Sequence, residues 1–115
     1  MIRDATPDDV AAIHDMIVGL AEFEMEPDAV TATPTDLHEA LFGPRPALFA
    51  HVADDAEHGV VGFSLWFLNY STWLGTHGIY LEDLFVQPEH RGSGYGKALL
   101  AVSYTHLTLP TTTIV

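Results

Sequence analysis

The sequence predicts an α/β domain, α+β in its element order, in which strands and helices share one core. Three observations predict it. Apolar residues recur at helical spacing from Val10 to about Phe23, and two apolar runs, Pro46–Val52 and Gly59–Leu68, lie close enough for a hairpin. The stretch from Ile79 to Leu100 reads as a buried strand, a short turn and a glycine-rich loop opening a helix.

From the start, Met1 to Ala5 is a short strand with Ile2 inward. Thr6 is a helix N-cap, followed by Pro7 at the first helical position and Asp8 and Asp9 in the first turn, where negative charge suits the helix dipole. Val10, Ile13, Ile17, Leu20 and Ala21 form one apolar stripe. His14 and Asp15 fall off it and are expected at the surface. A second helix over Thr33–Gly43 is capped by Thr33 or Thr35 and stopped by Gly43 and Pro44, with His38 outward. Asp54 to Glu57 is an acidic turn between the two apolar strands. Gly59–Leu68 is apolar enough to be buried on both faces, and Asn69 to Gly78 is a loop carrying Tyr70, Trp73 and Gly75. No repeat or linker appears, so one domain is expected.

Composition sets the outer bounds. The chain has 115 residues, 48% of them hydrophobic, which is enough for one core and excludes disorder. No apolar run reaches membrane-spanning length and no signal peptide is recognisable. Without cysteine there is no disulfide, thiolate nucleophile or thiolate metal site, which fits a cytoplasmic enzyme, and no metal is expected in the site. Four Lys+Arg against sixteen Asp+Glu give a formal charge of −12. Such a surface repels nucleic acid and anionic membranes and attracts polycations; it also simply keeps a protein in solution.

The chemistry-bearing stretch begins at Tyr80. Pro88 ends the strand Tyr-Leu-Glu-Asp-Leu-Phe-Val by removing a backbone donor. Gly92, Gly94 and Gly96 then leave N–H groups unshielded at the positive end of the following helix, an anion site best suited to phosphate. Lys97 is followed by Ala98 rather than a hydroxyl residue, so this is not a nucleoside triphosphate loop, and the spacing misses the dinucleotide fingerprint by one residue. A ligand-free strand-to-helix turn is the plainer alternative. Upstream, Glu22 to Asp28 holds four carboxylates in seven residues, interleaved with Phe23 and Met25. That is either a solvated face or a surface for an aliphatic cation, whose methylenes lie on apolar groups while its ammonium meets acids.

Arg91, Gly94 and Gly96 directly after that strand resemble the acetyl-CoA motif of the GNAT superfamily of N-acetyltransferases. Ile2 to Asp9, Leu20 to Glu24, Val61 to Phe63, Trp73 with Gly75, and Tyr80 to Val86 resemble its diamine acetyltransferases, which act on spermidine, spermine or thialysine. The resemblance covers residues 2 to about 101. It implies a mixed, mainly antiparallel sheet flanked by helices, and acetyl-CoA as co-substrate. It assigns amine contacts to Phe23 and Glu24, and the holding of the substrate amine to Glu82. The backbone of Leu84, Phe85 and Val86 would pair with pantetheine and acetyl group. Arg91, Gly92, Ser93, Gly94, Tyr95, Gly96 and Lys97 would hold the pyrophosphate. Ser71 stands where the polyamine enzymes tend to carry an acid, which leaves thialysine or another small primary amine open. Relatives are commonly dimers, so a homodimer is expected of the full-length protein.

An amine attacks a thioester only as the free base, and a carboxylate in an apolar strand is a proton acceptor by way of water. Glu82 is the candidate; its alternative is a structural carboxylate bonded to backbone N–H groups. Asp83, on the other face by strand alternation, is the likelier structural acid of the two. Two other functions stay open: a non-catalytic module whose acidic rim binds a basic partner, and an acetyltransferase acting on a protein N-terminus or lysine.

After Val102 the helical pattern gives way to a threonine-rich stretch with Pro110. Residues 103–115 resemble translated adapter read-through rather than family sequence, so residues 1–102 are expected to be the N-terminal part of the acetyltransferase domain. Tyr104 and His106 are then non-catalytic, and the family's C-terminal half, with the tyrosine that protonates the departing thiolate, lies outside this chain.

Overall fold

A computed structural model describes the backbone of residues 1–106 and 113–114. Its strands are β1 (Ile2–Asp4), β2 (Phe49–Asp55), β3 (Gly59–Ser71), β4 (Thr76–Val86) and β5 (Thr113–Ile114). Its α-helices are α1 (Val10–Phe23), α2 (Pro34–Phe42) and α3 (Tyr95–His106). The sheet runs in the order β1-β2-β3-β4-β5, antiparallel throughout except where β5 joins β4 in parallel at Tyr80 and Leu81.

Two layers cover the sheet. Val10, Ile13 and Met16 of α1 and Leu37 and Leu41 of α2 pack on Ala50, Val52, Phe63, Leu65 and Phe85. On the opposite face Leu99 of α3 meets Ala53, Val61 and Val86. Residues 61–66 of β3 are all buried, as a strand covered on both faces requires. Gly62 suits that close packing, because a Cβ would sit 3.0 Å from the Phe85 carbonyl oxygen, a tight contact.

The elements depart from the sequence reading in three places. Pro7–Asp9 is a 3-10 turn that leads into α1. His14 lies at the surface as expected, where its Nε2 is 2.7 Å from the Ala32 carbonyl oxygen and ties α1 to the approach of α2. The strand expected from Pro46 starts at Phe49, because the Ala47 and Leu48 N–H groups donate to Ala40 at the end of α2. The loop expected over residues 69–78 is mostly strand. Cross-strand rings, Phe67 on Tyr80 at 4.8 Å and Tyr70 against His77 at 5.1 Å, extend the ladder to Ser71 and Thr76. Helix α2 follows expectation, with Thr33 and Asp36 exchanging cap hydrogen bonds. Helix α3 continues past Val102 to His106, since an established helix propagates over residues of modest propensity. Most of the expected foreign tail, residues 107–112 and 115, lies outside the described residues, as do the side chains of Tyr104 and His106.

One polar knot joins the first strand to the sheet. Arg3 donates to both Asp9 carboxylate oxygens at 2.8 and 3.0 Å and, through Nε, to Asp54 at 3.0 Å. The Arg3 hydrogen bonds hold the buried Asp9 carboxyl below its ordinary value of 3.8. A carboxylate with a depressed folded-state pKa contributes its stability above the unfolded value and loses it as pH falls below about 3.8. Asp9→Asn is therefore expected to cost about 2 kcal/mol at neutral pH, since it breaks charge-assisted bonds around a half-exposed arginine. Urea unfolding at pH 7 and at pH 3 checks it: the deficit shrinks at the lower pH.

Candidate active site

The C-terminal end of α1, the strand β4 and the start of α3 enclose a cleft of about 550 Å³. Its walls are Leu20, Phe23, Leu84, Phe85, Val86, Arg91, Gly92, Gly94, Gly96 and Lys97. Nine of these ten are residues the sequence singles out. Leu20 is the addition; it lies on the α1 stripe one turn before Phe23, a spacing that puts both on the same helix face.

The floor of the cleft is backbone. Gln87 N–H donates inward to Val61, whereas the Val86 carbonyl accepts from Arg91 Nε at 2.8 Å on the outer side. Alternate residues of an antiparallel strand turn to opposite sides, so Leu84 and Val86 present their N–H groups to the outer edge. Among the described residues, β5 pairs with that edge at Tyr80 and Leu81.

The anion-facing end follows from glycine. Gly92 and Gly94 adopt φ of +86° and +90°, a region costly for other residues, and a Cβ on either would meet nothing within 4 Å. Ala98 N–H donates to Gly94, so the helix begins there, and the preceding N–H groups of its first turn have no helical partner. Two of the chain's four cationic side chains, Arg91 and Lys97, line this one cleft of a protein with formal charge −12. The Arg91 guanidinium lies over the Phe23 and Phe85 rings, 5.1 and 5.2 Å from their centroids, bridging α1 and β4.

Ser93 and Tyr95 turn away from the cleft. Ser93 Oγ donates to the His90 carbonyl at 2.5 Å and Tyr95 Oη to Asp55 Oδ2 at 2.8 Å. That second bond pushes the Tyr95 phenol pKa up. Only their backbone is left to face the cleft.

The acids gather beside the cleft. In the pairing of β3 and β4, Leu65 faces Asp83 and Trp66 faces Leu81, so Glu82 is an extra residue, a β-bulge. Packing shows the consequence: Leu81 and Leu84, three residues apart, share one layer with Leu100 of α3, while Phe85 enters the α1 layer. Strict alternation would put Leu81 and Leu84 on opposite faces. The bulge leaves Asp83, opposite Leu65, on the α1 face and takes Glu82 out of the pairing, so period-two alternation does not carry across these two acids. Glu82 is exposed; Asp83 is half-buried. Burial first, then the charges of Glu82 and Glu24, raise the Asp83 carboxyl to about 6. Glu24 stands at the α1 terminus, where Met25 closes the helix at φ +62°, a strained conformation for a side chain of that size. The exposed Phe23 and Met25 flank it.

Among the described residues no helix is long and apolar enough to cross a membrane. The family model described as "Acetyltransferase (GNAT) family" matches residues 14–107. The chain is 38% identical to the thialysine N-epsilon-acetyltransferase of Bos taurus, over 87% of this chain and 62% of that protein. It is 31% identical to an L-ornithine N5-acetyltransferase of Arabidopsis thaliana, over 86% of this chain and 63% of that one. It therefore spans a little under two thirds of the length of these relatives. The fold is also that of a mutant Bacillus halodurans protein, with a TM-score of 0.81 at 19% identity, covering all of this chain and 81% of the other. With the strand, bulge, glycine loop and helix start in place, and most of its length matched, the chain belongs to the acetyltransferase (GNAT) family.

Proposed function

We propose that this chain carries the acetyl-CoA and amine sites of an enzyme that acetylates a primary amine of a small diamine, polyamine or thialysine-like substrate. The observation that carries the reading is the juxtaposition of two opposite ends. A cationic, glycine-walled cleft along the outer edge of β4 abuts an acidic rim of Glu24, Glu82 and Asp83. The first fits a pyrophosphate and an extended thioester; the second fits an ammonium group with an aliphatic stem lying on Phe23.

The reaction follows from these groups. Glu82 and Glu24 hold the substrate ammonium. Its proton passes to Asp83 through water, because a carboxyl raised to about 6 takes a proton near neutral pH more readily than an ordinary one. The sequence assigns that step to Glu82; here Glu82 keeps the holding role and Asp83 takes the proton. The freed amine attacks the thioester carbonyl, and the Leu84 and Val86 N–H groups stabilise the oxyanion. The adduct's nitrogen gives up its extra proton to water, and collapse then breaks the C–S bond, forming the neutral amide and releasing the thiolate of CoA, with no covalent enzyme intermediate. The similarity to enzymes named for thialysine and ornithine supports a substrate bearing a second amine. Exposed Tyr70, Trp73 and Leu74 at the β3–β4 hairpin support association of two copies.

Release of CoA thiol in the presence of acetyl-CoA and thialysine, ornithine, spermidine or putrescine tests the reading. Transfer to diamines at least tenfold faster than to a monoamine of equal length is expected, a discrimination of about 1.4 kcal/mol. Equal rates would remove the role of the acidic rim.

A further inference from the structure

On the far side of α3's first turn from the cleft lies a cluster that the acetyl-transfer reading leaves unused. Asp55 at the end of β2, His58 in the β2–β3 turn and His90 in the turn Pro88–His90 each offer a ligand atom, all within 4.8 Å of one another. We infer that these three side chains form a binding site for a divalent transition-metal ion of the zinc class.

The ligand set selects the ion. Two imidazoles and one carboxylate suit zinc and its neighbours, whereas magnesium and calcium prefer oxygen throughout. The site is partly organised without metal. His58 Nδ1 lies 3.1 Å from Asp55 Oδ1, and the His58 and His90 rings stand 4.8 Å apart at 60°. Asp55 is itself held: its Oδ2 accepts from the Tyr95 hydroxyl at 2.8 Å, and its Oδ1 from the Glu57 and His58 N–H groups. A carboxylate oriented by an outer hydrogen-bond donor is a recurrent feature of metal sites. Ligand atoms around zinc lie about 3.4 Å apart, so the widest pair, within 4.8 Å, must close by up to about 1.4 Å. Rotation of the exposed His58 ring supplies that. The adjoining cavity, about 640 Å³, leaves remaining coordination positions open to water.

The position gives the site a consequence. His90 directly precedes Arg91 and the glycine loop, while Asp55 ends β2 and His58 lies in the turn to β3. A bound ion would therefore clamp the entry of the loop to the β2–β3 turn.

Isothermal titration of ZnCl₂ into the untagged 115-residue chain tests the inference, with MgCl₂ as the comparison ion. One saturable zinc site is expected, with no magnesium binding. His58→Ala and His90→Ala should each raise the zinc Kd about tenfold or more, the loss typical of damaged metal sites. Tyr95→Phe should raise it less, and His38→Ala, on α2, not at all. Circular dichroism confirms that each variant is folded, and Co²⁺ in place of zinc should show the intense visible bands of a site with nitrogen ligands. Absence of zinc binding by the folded wild-type chain overturns the inference. So does binding that survives either His58→Ala or His90→Ala unchanged.

Discussion

Acetyl-CoA titrated into this chain is expected to bind saturably, and Gly94→Trp to weaken that binding on the order of 100-fold. The size follows from the hydrogen bonds at stake: two phosphate contacts to backbone N–H groups, at about 1.5–3 kcal/mol each, amount to at least that factor. The substitution should spare the fold. A Cβ at Gly94 meets nothing within 4 Å, so the indole projects into the cleft rather than the core. The φ of +90° adds a backbone cost of about 1–2 kcal/mol. Gly96→Ala is the contrasting control. Its Cβ would sit 3.8 Å from Leu84 and Val86 side-chain atoms, ordinary contact, and so should change affinity little. Equal loss in both variants would mean that the helix start, not the loop cradle, had been damaged. Unchanged affinity in Gly94→Trp would place the CoA site elsewhere.

Asp83→Asn should make the protein more stable and the enzyme slower. The Asp83 carboxyl sits at about 6 when folded against 3.8 ordinarily. A folded-state pKa raised above the unfolded one contributes stability that is fully present below about 3.8 and lost as pH rises through about 6. At pH 7 the ionised group is a burden, because burial and the charges of Glu82 and Glu24 oppose it. A shift of about two units corresponds to roughly 3 kcal/mol. Because the group is only partly buried and water screens it, about 1–2 kcal/mol of gain is expected from the asparagine. Thermal unfolding at pH 4 and pH 7 checks the sign: the gain is largest at pH 7 and the pH dependence between them flattens. Turnover should move the other way. Loss of the proton acceptor should lower kcat/KM for the amine about 100-fold and remove the acidic limb of its pH profile. Glu82→Gln should act mainly through KM. If Asp83→Asn keeps full kcat/KM, the proton leaves by another route.

Much of this site was legible because its signals are local. Glycine at residues 92 and 94 answers a backbone need that no other residue meets cheaply, and Pro88 marks the end of a strand by chemistry alone. The cap at Thr33 and Asp36 is likewise written in four consecutive residues. The roles of Glu82 and Asp83 were not legible. Period-two alternation sends neighbours to opposite faces, and only the pairing of Leu65 with Asp83 and Trp66 with Leu81 shows that an extra residue lies between. Ser93 and Tyr95 carry motif positions, yet their side chains bond to His90 and Asp55, partners that a motif does not name.

The sequence by itself determined the helices α1 and α2, the core of the sheet strands, the glycine-rich loop after β4 and the acids near the end of α1. Those follow from propensity, capping and spacing within a few residues, where the chain supplies its own neighbours. Tertiary structure alone decided which carboxylate is raised, that Arg91 bridges Phe23 and Phe85, and that Asp55, His58 and His90 meet. Each depends on groups far apart in the chain, brought within a few ångströms by sheet register and helix packing. There burial and charge act together, and neither can be read before the contacts exist.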